Sequence, residues 1–273
     1  MRGESEVAPT VRGIGRLYDF RMWKALILCL VLASCSTPVE VETFLQGTFP
    51  LDRSLQSVEA PADELRYLLW FPPGYGDGTE RPLVVFLHGS GDENYDAQWV
   101  MSYGLPSTLA GGDQPDSFDA VVLMPQAGPG TSWWSQRQPE AVDALIADVV
   151  DRYDIDSSAI SVTGLSMGGF GTWHMVTRFP GRFARAASIS GSGYGFVTVP
   201  EEVDPCEIRA RIRSIQGTED PIALPALVSD VIDEINERCG AGHEVEFLEG
   251  EGHFSTFQRT YRDEAFLDWL LTG

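Results

Sequence analysis

The chain has 273 residues, 43% of them apolar, which suffices for one domain of ordinary size with a full core. Nineteen basic residues against 40 acidic ones leave a net charge of −21, which excludes nucleic acid as a partner because nothing would neutralise its phosphates. Eighteen of the basic residues are Arg and the single Lys is Lys24, so from residue 25 onward a Schiff-base lysine, a Ser–Lys dyad and a phosphate-loop lysine are all excluded.

Residues 1–21 carry both charge signs and no fold signature, as expected of an upstream extension with Met22 as the true start. Met22-Trp23-Lys24 leads into an apolar run, Ala25 to Ala33. A bilayer takes about 20 apolar residues to span, so this shorter run reads as a signal peptide. It ends in Leu32-Ala33-Ser34-Cys35, which resembles the lipobox of bacterial lipoproteins. That resemblance implies a lipidated Cys35 as the mature N-terminus; an ordinary signal that happens to contain Cys35 is the alternative. The expected location is the bacterial cell envelope, with the N-terminal lipid anchor as the only membrane contact, or else the periplasm or medium as a soluble protein. Residues 1–35 are thus assigned to the signal region, 36–57 to a tether, and 58–273 to the folded domain.

Strand-like runs then alternate with helix-length segments. Strands are predicted at Leu65–Phe71, Leu83–Leu87, Val121–Met124, Ile160–Thr163, Ala186–Ser190, Arg211–Gln216 and Glu244–Leu248. Helices are predicted at Pro139–Tyr153, Met167–Phe179, Leu224–Arg238 and Arg262–Leu271. In the first helix Val142, Leu145, Ile146, Val149 and Val150 recur at helical spacing, which marks a core-facing stripe. Continuous apolar strands interleaved with helices predict an α/β fold, with a mostly parallel sheet covered on both faces and an antiparallel start at Leu65–Phe71. The short stretch from Ser190 to Cys206 leaves no room for a large cap domain.

Once Cys29 leaves with the signal and Cys35 is lipidated, Cys206 and Cys239 remain. In an exported chain such a pair suggests a disulfide, with two inert thiols as the alternative. Each precedes a strand, so in a parallel sheet both lie at the edge opposite the strand C-termini.

Gly164-Leu165-Ser166-Met167-Gly168 sits between the strand Ile160–Thr163 and the helix from Met167, so a serine occupies the apex of a strand–turn–helix. A serine hydroxyl is a weak nucleophile and needs a base, and the base needs a carboxylate to fix its tautomer. Asp220 follows the strand Arg211–Gln216, with Glu219 as its rival, and His253 follows the strand Glu244–Leu248 after Gly252. His174 lies in the helix after the turn and His243 falls at the opposite sheet edge; the serine turn resembles that of the α/β-hydrolases, whose chain order of Ser, acid, His implies His253 as the base and sets aside His88, which precedes Ser166. Two N–H groups for a developing oxyanion are expected from Met167 and from Ser90, in the turn Gly89-Ser90-Gly91 after Leu83–Leu87. Gln126, Trp133 and Trp134 follow the strand Val121–Met124 at the same edge. They are candidates for substrate binding, with core cover as the alternative for the tryptophans. No ligand spacing suggests a metal, and no Gly-rich fingerprint suggests a nucleotide cofactor.

These motifs resemble the α/β-hydrolase superfamily, in particular bacterial exported esterases of the phospholipase/carboxylesterase and polyhydroxybutyrate-depolymerase-like group, often labelled predicted peptidases. The likeness spans about residues 60–273. It rests on Pro82 to Gly91, Pro125-Gln126 with Trp133-Trp134, Thr163 to Trp173, and Gly252-His253 with Tyr261 and Asp268 to Leu271. The group's first loop usually continues Gly-Glu-Arg-Gly, whereas here it reads Gly91-Asp92-Glu93-Asn94. The resemblance implies an α/β-hydrolase fold and a serine hydrolase that cleaves small or polymer-linked carboxylic esters through an acyl-enzyme. A peptidase of the same superfamily and an inactive surface-binding module are the alternatives.

Overall fold

The computed structural model describes residues 44–50, 64–94, 97–191 and 204–272. The signal region, Cys35 and the predicted tether at 36–43 and 51–57 lie outside them. Eight strands form: β1 (Phe44–Pro50), β2 (Glu64–Trp70), β3 (Arg81–Leu87), β4 (Val121–Pro125), β5 (Ile155–Leu165), β6 (Arg185–Ile189), β7 (Arg211–Gly217) and β8 (Glu244–Leu248). They pair in the order β1-β2-β4-β3-β5-β6-β7-β8. The β1–β2 and β2–β4 pairings are antiparallel and the rest parallel.

Alternation along each strand divides the core into two layers. Leu83, Val85 and Leu87 of β3 join the layer covered by α2 (Gln138–Arg152), α3 (Met167–Arg178) and α4 (Pro225–Cys239). Val84 and Phe86 join the layer covered by α1 (Gly104–Gly111), α5 (His253–Thr260) and α6 (Glu264–Leu271). The α2 stripe of Val142, Leu145, Ile146 and Val149 is buried as its spacing requires. This is the α/β-hydrolase architecture, with no large cap among the described residues.

Three elements correct the sequence expectation. The predicted tether contains β1, which pairs with β2 along its length from Phe44↔Trp70 to Pro50↔Glu64, and Val41–Gly273 forms one unit. Phe44 and Leu45 each pack on a core layer, so this stretch gains burial as well as strand hydrogen bonds. Helix α1 is not among the predicted helices; Leu105 and Leu109 bury its inner side. Helix α5 begins at His253, in a segment expected to be loop, because Phe257 and Tyr261 supply an inward stripe one turn apart.

Cys206 and Cys239 are disulfide-bonded, with Cα atoms 5.2 Å apart. They lie before β7 and at the end of α4, at the N-terminal edge of the parallel strands. Closing a loop of 33 residues' separation stabilises by about 3–4 kcal/mol in the chain-entropy model.

Candidate active site

The geometry around Ser166 begins with steric demands on its neighbours. A Cβ on Gly164 would lie 2.4 Å from the Gly168 carbonyl oxygen, and one on Gly168 would lie 1.9 Å from the Leu87 carbonyl oxygen. Only glycine lets β5, α3 and β3 approach this closely. Ser166 itself takes φ 53° and ψ −117°, a strained conformation for a residue with a side chain. The turn is held by Ser166 N–H, which donates to Ile189 O at 2.9 Å, and by Phe170 N–H, which donates to Ser166 O at 3.1 Å.

Three side chains far apart in sequence meet at the C-terminal edge of the sheet. Ser166 Oγ lies 2.9 Å from His253 Nε2, and His253 Nδ1 lies 2.8 Å from Asp220 Oδ2. The carboxylate can only accept, so Nδ1 carries the proton and Nε2 presents a lone pair to the hydroxyl. Phe257 sets its ring edge-on to the imidazole at 4.8 Å and Phe254 at 5.6 Å, which fixes the ring plane.

Asp220 is the most heavily braced group in the site. Its Oδ1 accepts from the N–H groups of Ile222 (2.8 Å) and Ala223 (3.0 Å), and its Oδ2 also accepts from Gln216 Nε2 (2.9 Å). Burial alone would raise its pKa. The His253 hydrogen bond and the two backbone donors outweigh burial and hold the carboxyl below its usual value. Glu219, the rival, is exposed, and its N–H donates to Glu251 O. Gln216 was missed as a site residue, since the last position of a buried strand carries no motif of its own.

Of the two expected oxyanion donors, Met167 opens α3, where first-turn N–H groups have no intrahelical acceptor and the helix dipole is positive. Ser90 is exposed in the turn after β3. That turn passes close to the serine: a Cβ on Gly89 would lie 3.7 Å from Ser166 Cβ.

His88, considered only as a base, braces this turn. Its Nδ1–H donates to Gly89 O at 2.7 Å and its Nε2 accepts from Ala127 N–H at 3.0 Å. Burial depresses its pKa to about 4, so the ring is neutral as these bonds require. His174 is partly buried in α3, and His243 accepts from Ile212 N–H at the opposite edge.

Two expected substrate contacts are corrected. Trp133 is 1% exposed and its Nε1–H donates to His88 O at 2.9 Å, so it is core. Gln126 is 2% exposed and its Nε2 donates to Asp92 O at 2.6 Å, so it anchors the loop beyond Ser90. Chain position put both at the right edge but could not say which way their side chains point. Trp134 is half-buried, its ring edge-on to the half-buried Phe170 at 6.2 Å. Asp204, Cys206 and Cys239 gather potential metal-ligand atoms, but the two sulfurs are bonded to each other.

Asp92 is buried on the same loop, and desolvation, aided by the charge of Glu93, lifts its pKa to about 7. A carboxyl whose folded pKa lies above its unfolded value near 3.9 binds more protons when folded, so stability falls as pH rises from about 4 to about 7. Asp92→Asn removes this loss while keeping the backbone acceptor of Gln126. The variant is expected to melt above the parent at pH 8 and to converge with it below pH 4, as followed by thermal unfolding.

The chain matches the Esterase family, described as "Putative esterase", over residues 59–195, a span that holds Ser90, Ser166 and Met167. It is 32% identical over 113 residues to the bifunctional acetylxylan esterase/xylanase XynS20E of Neocallimastix patriciarum, covering 40% of this chain and 16% of that protein. It is 30% identical over 134 residues to poly(3-hydroxyalkanoate) depolymerase C of Paucimonas lemoignei, covering 45% of this chain and 31% of that protein. Both matches therefore span well under half of the relatives' lengths. Among solved structures, a thermostable esterase superposes with a TM-score of 0.66 at 28% identity, over 84% of this chain and 62% of that one. On the strength of the family match and the sheet that carries it, the chain belongs to the Esterase family of α/β-hydrolases.

Proposed function

We propose that the protein hydrolyses carboxylic esters through an acyl-enzyme on Ser166. The observation that carries this reading is the continuous hydrogen-bonded line from Asp220 through His253 to Ser166 Oγ. His253 Nε2 takes the Ser166 proton as Oγ attacks the ester carbonyl carbon, and the carbonyl oxygen becomes an oxyanion facing the Met167 and Ser90 N–H groups. Asp220 stabilises the resulting imidazolium. The tetrahedral adduct collapses, the C–O bond to the alcohol breaks, and His253 protonates the leaving oxygen. Water then enters, loses a proton to His253 and attacks the acyl carbon, which releases the acid and restores Ser166. The half-buried Phe170, four residues beyond Ser166 on α3, and Trp134, edge-on to it from the loop before α2, supply an aromatic wall for the substrate.

Rapid mixing with a p-nitrophenyl short-chain ester tests this. A burst of p-nitrophenol equal to the enzyme concentration is expected, with peptide p-nitroanilides cleaved far more slowly. A larger rate on the anilides would support a peptidase instead.

The same reading places the enzyme outside the cytoplasm, anchored through Cys35. Its support is the lipobox-like Leu32-Ala33-Ser34-Cys35, together with a Cys206–Cys239 disulfide of the kind that persists in oxidising compartments. In bacteria expressing the full chain and fed an alkyne-tagged fatty acid, labelling is expected and should vanish in Cys35→Ala. Label retained in that variant contradicts the anchor.

A further inference from the structure

Gln216 is fully buried one residue before the end of β7, and its amide nitrogen has two close acceptors, Asp220 Oδ2 at 2.9 Å and Ala223 O at 2.8 Å. A carboxylate and a backbone carbonyl can only accept, so the atom between them is the NH₂ and the orientation of the amide is fixed. Its Oε1 is buried and meets no donor among the described residues. An unpaired buried oxygen costs stability, so a side chain kept only to fill this space would be an aliphatic one of similar length. The amide is therefore present for its N–H groups.

Both N–H groups act on the acid. One goes to Ala223 O, and Ala223 N–H in turn donates to Asp220 Oδ1, so the turn that carries the carboxylate is tied back to the strand it leaves. The other goes to Oδ2, the same oxygen that accepts from His253 Nδ1 at 2.8 Å.

We propose that Gln216 is a positioning residue of the triad that governs how firmly Asp220 holds the protonated imidazole of His253. The inference rests on the ester-hydrolase reading above and adds a control on its proton relay. A donor on a carboxylate oxygen stabilises the charge there and leaves less of it to attract a second donor. With Gln216 in place, the imidazolium that forms as Ser166 attacks is stabilised yet still releases its proton to the leaving alcohol oxygen. Without Gln216, Oδ2 turns its full charge on Nδ1–H, and protons from water occupy Nε2 at higher pH.

The surroundings make this readable in a pH profile. Asp220 is contacted by Gln216 from β7, by the Ile222 and Ala223 N–H groups of its own turn, and by His253 from α5. His253 is met by Ser166 and by the rings of Phe254 and Phe257. Among the described residues that contact the pair, none besides Asp220 and His253 themselves titrates near neutral pH. Of the carboxylates on the neighbouring loops, Glu219 and Glu249 are exposed and Glu251 pairs with Arg259 at 3.1 Å.

The test compares pH profiles of kcat/KM on p-nitrophenyl acetate for the parent and for Gln216→Met, which keeps the length and removes the donors. The acid limb is expected to move to higher pH by about half a unit or more, about a threefold loss of activity on that limb. At pH 8, above the limb, KM should stay within about twofold of the parent and kcat within about threefold. Gln216→Leu is measured in parallel, with melting curves for both, so that misfolding of one variant leaves the other to decide. An acid limb that stays in place or moves to lower pH in a folded variant overturns the proposal. So does a loss that is uniform across pH, and so does failure of both variants to fold, since each assigns Gln216 to packing. The hydrolase reading fails separately, by p-nitrophenyl acetate turnover that persists in Ser166→Ala.

Discussion

Replacing Ser166 with Ala is expected to lower kcat on a p-nitrophenyl ester by about a millionfold, the loss typical when one member of a cooperating triad is removed. The size of the effect follows from what remains. Alanine keeps the same backbone at φ 53°, so the turn and the Met167 N–H stay in place, but no atom is left to attack the carbonyl. Residual turnover then comes only from the oxyanion donors and binding, about 10³–10⁴ over water. Steady-state kinetics with a melting curve checks this, since the variant should melt close to the parent. A loss below a hundredfold in a folded variant would move the nucleophile elsewhere.

Asp220→Asn is expected to reduce kcat by about 10⁴ while leaving KM nearly unchanged. Four donors converge on the two oxygens of Asp220: the Ile222 and Ala223 N–H groups on one, Gln216 and His253 on the other. An amide has only one oxygen to offer. If that oxygen turns to the backbone donors, the NH₂ faces His253 Nδ1 and forces the proton onto Nε2. The imidazole then presents N–H to Ser166 and cannot accept its proton. The opposite orientation sets NH₂ against two backbone N–H groups and strains the loop, so a lowered melting temperature is expected as well. Kinetics for the first effect and calorimetry for the second distinguish a lost tautomer from simple unfolding.

The sequence was most legible where local sterics leave one solution. Gly164 and Gly168 are required because two backbones pass within van der Waals contact there, so the serine between them could be found from a pentapeptide and its flanks. The order of Ser166, Asp220 and His253 was legible because each follows a strand of the parallel part of the sheet and so emerges at one edge. Side-chain direction was not. Trp133 and Gln126 emerge at that edge too, yet they turn inward to hold His88 and Asp92, because the loop after β3 needs its polar backbone groups satisfied. Elements stabilised by distant partners were also hidden. β1 lies in a stretch with alternating valine and glutamate just before it, and its reason for being a strand is the edge of β2 some 20 residues later. Helix α5 reads as loop until Phe257 and Tyr261 are seen to meet the second core layer.

The account turns on Ser166 being a hydroxyl activated by His253, and trapping it covalently tests that most directly. The protein is treated with a fluorophosphonate, digested, and the modified peptide identified by mass spectrometry, in parallel with His253→Ala. One adduct per chain, on Ser166 and nearly absent in the His253 variant, is the predicted result. No adduct on a folded protein, an adduct on another residue, or equal labelling without His253 would contradict it.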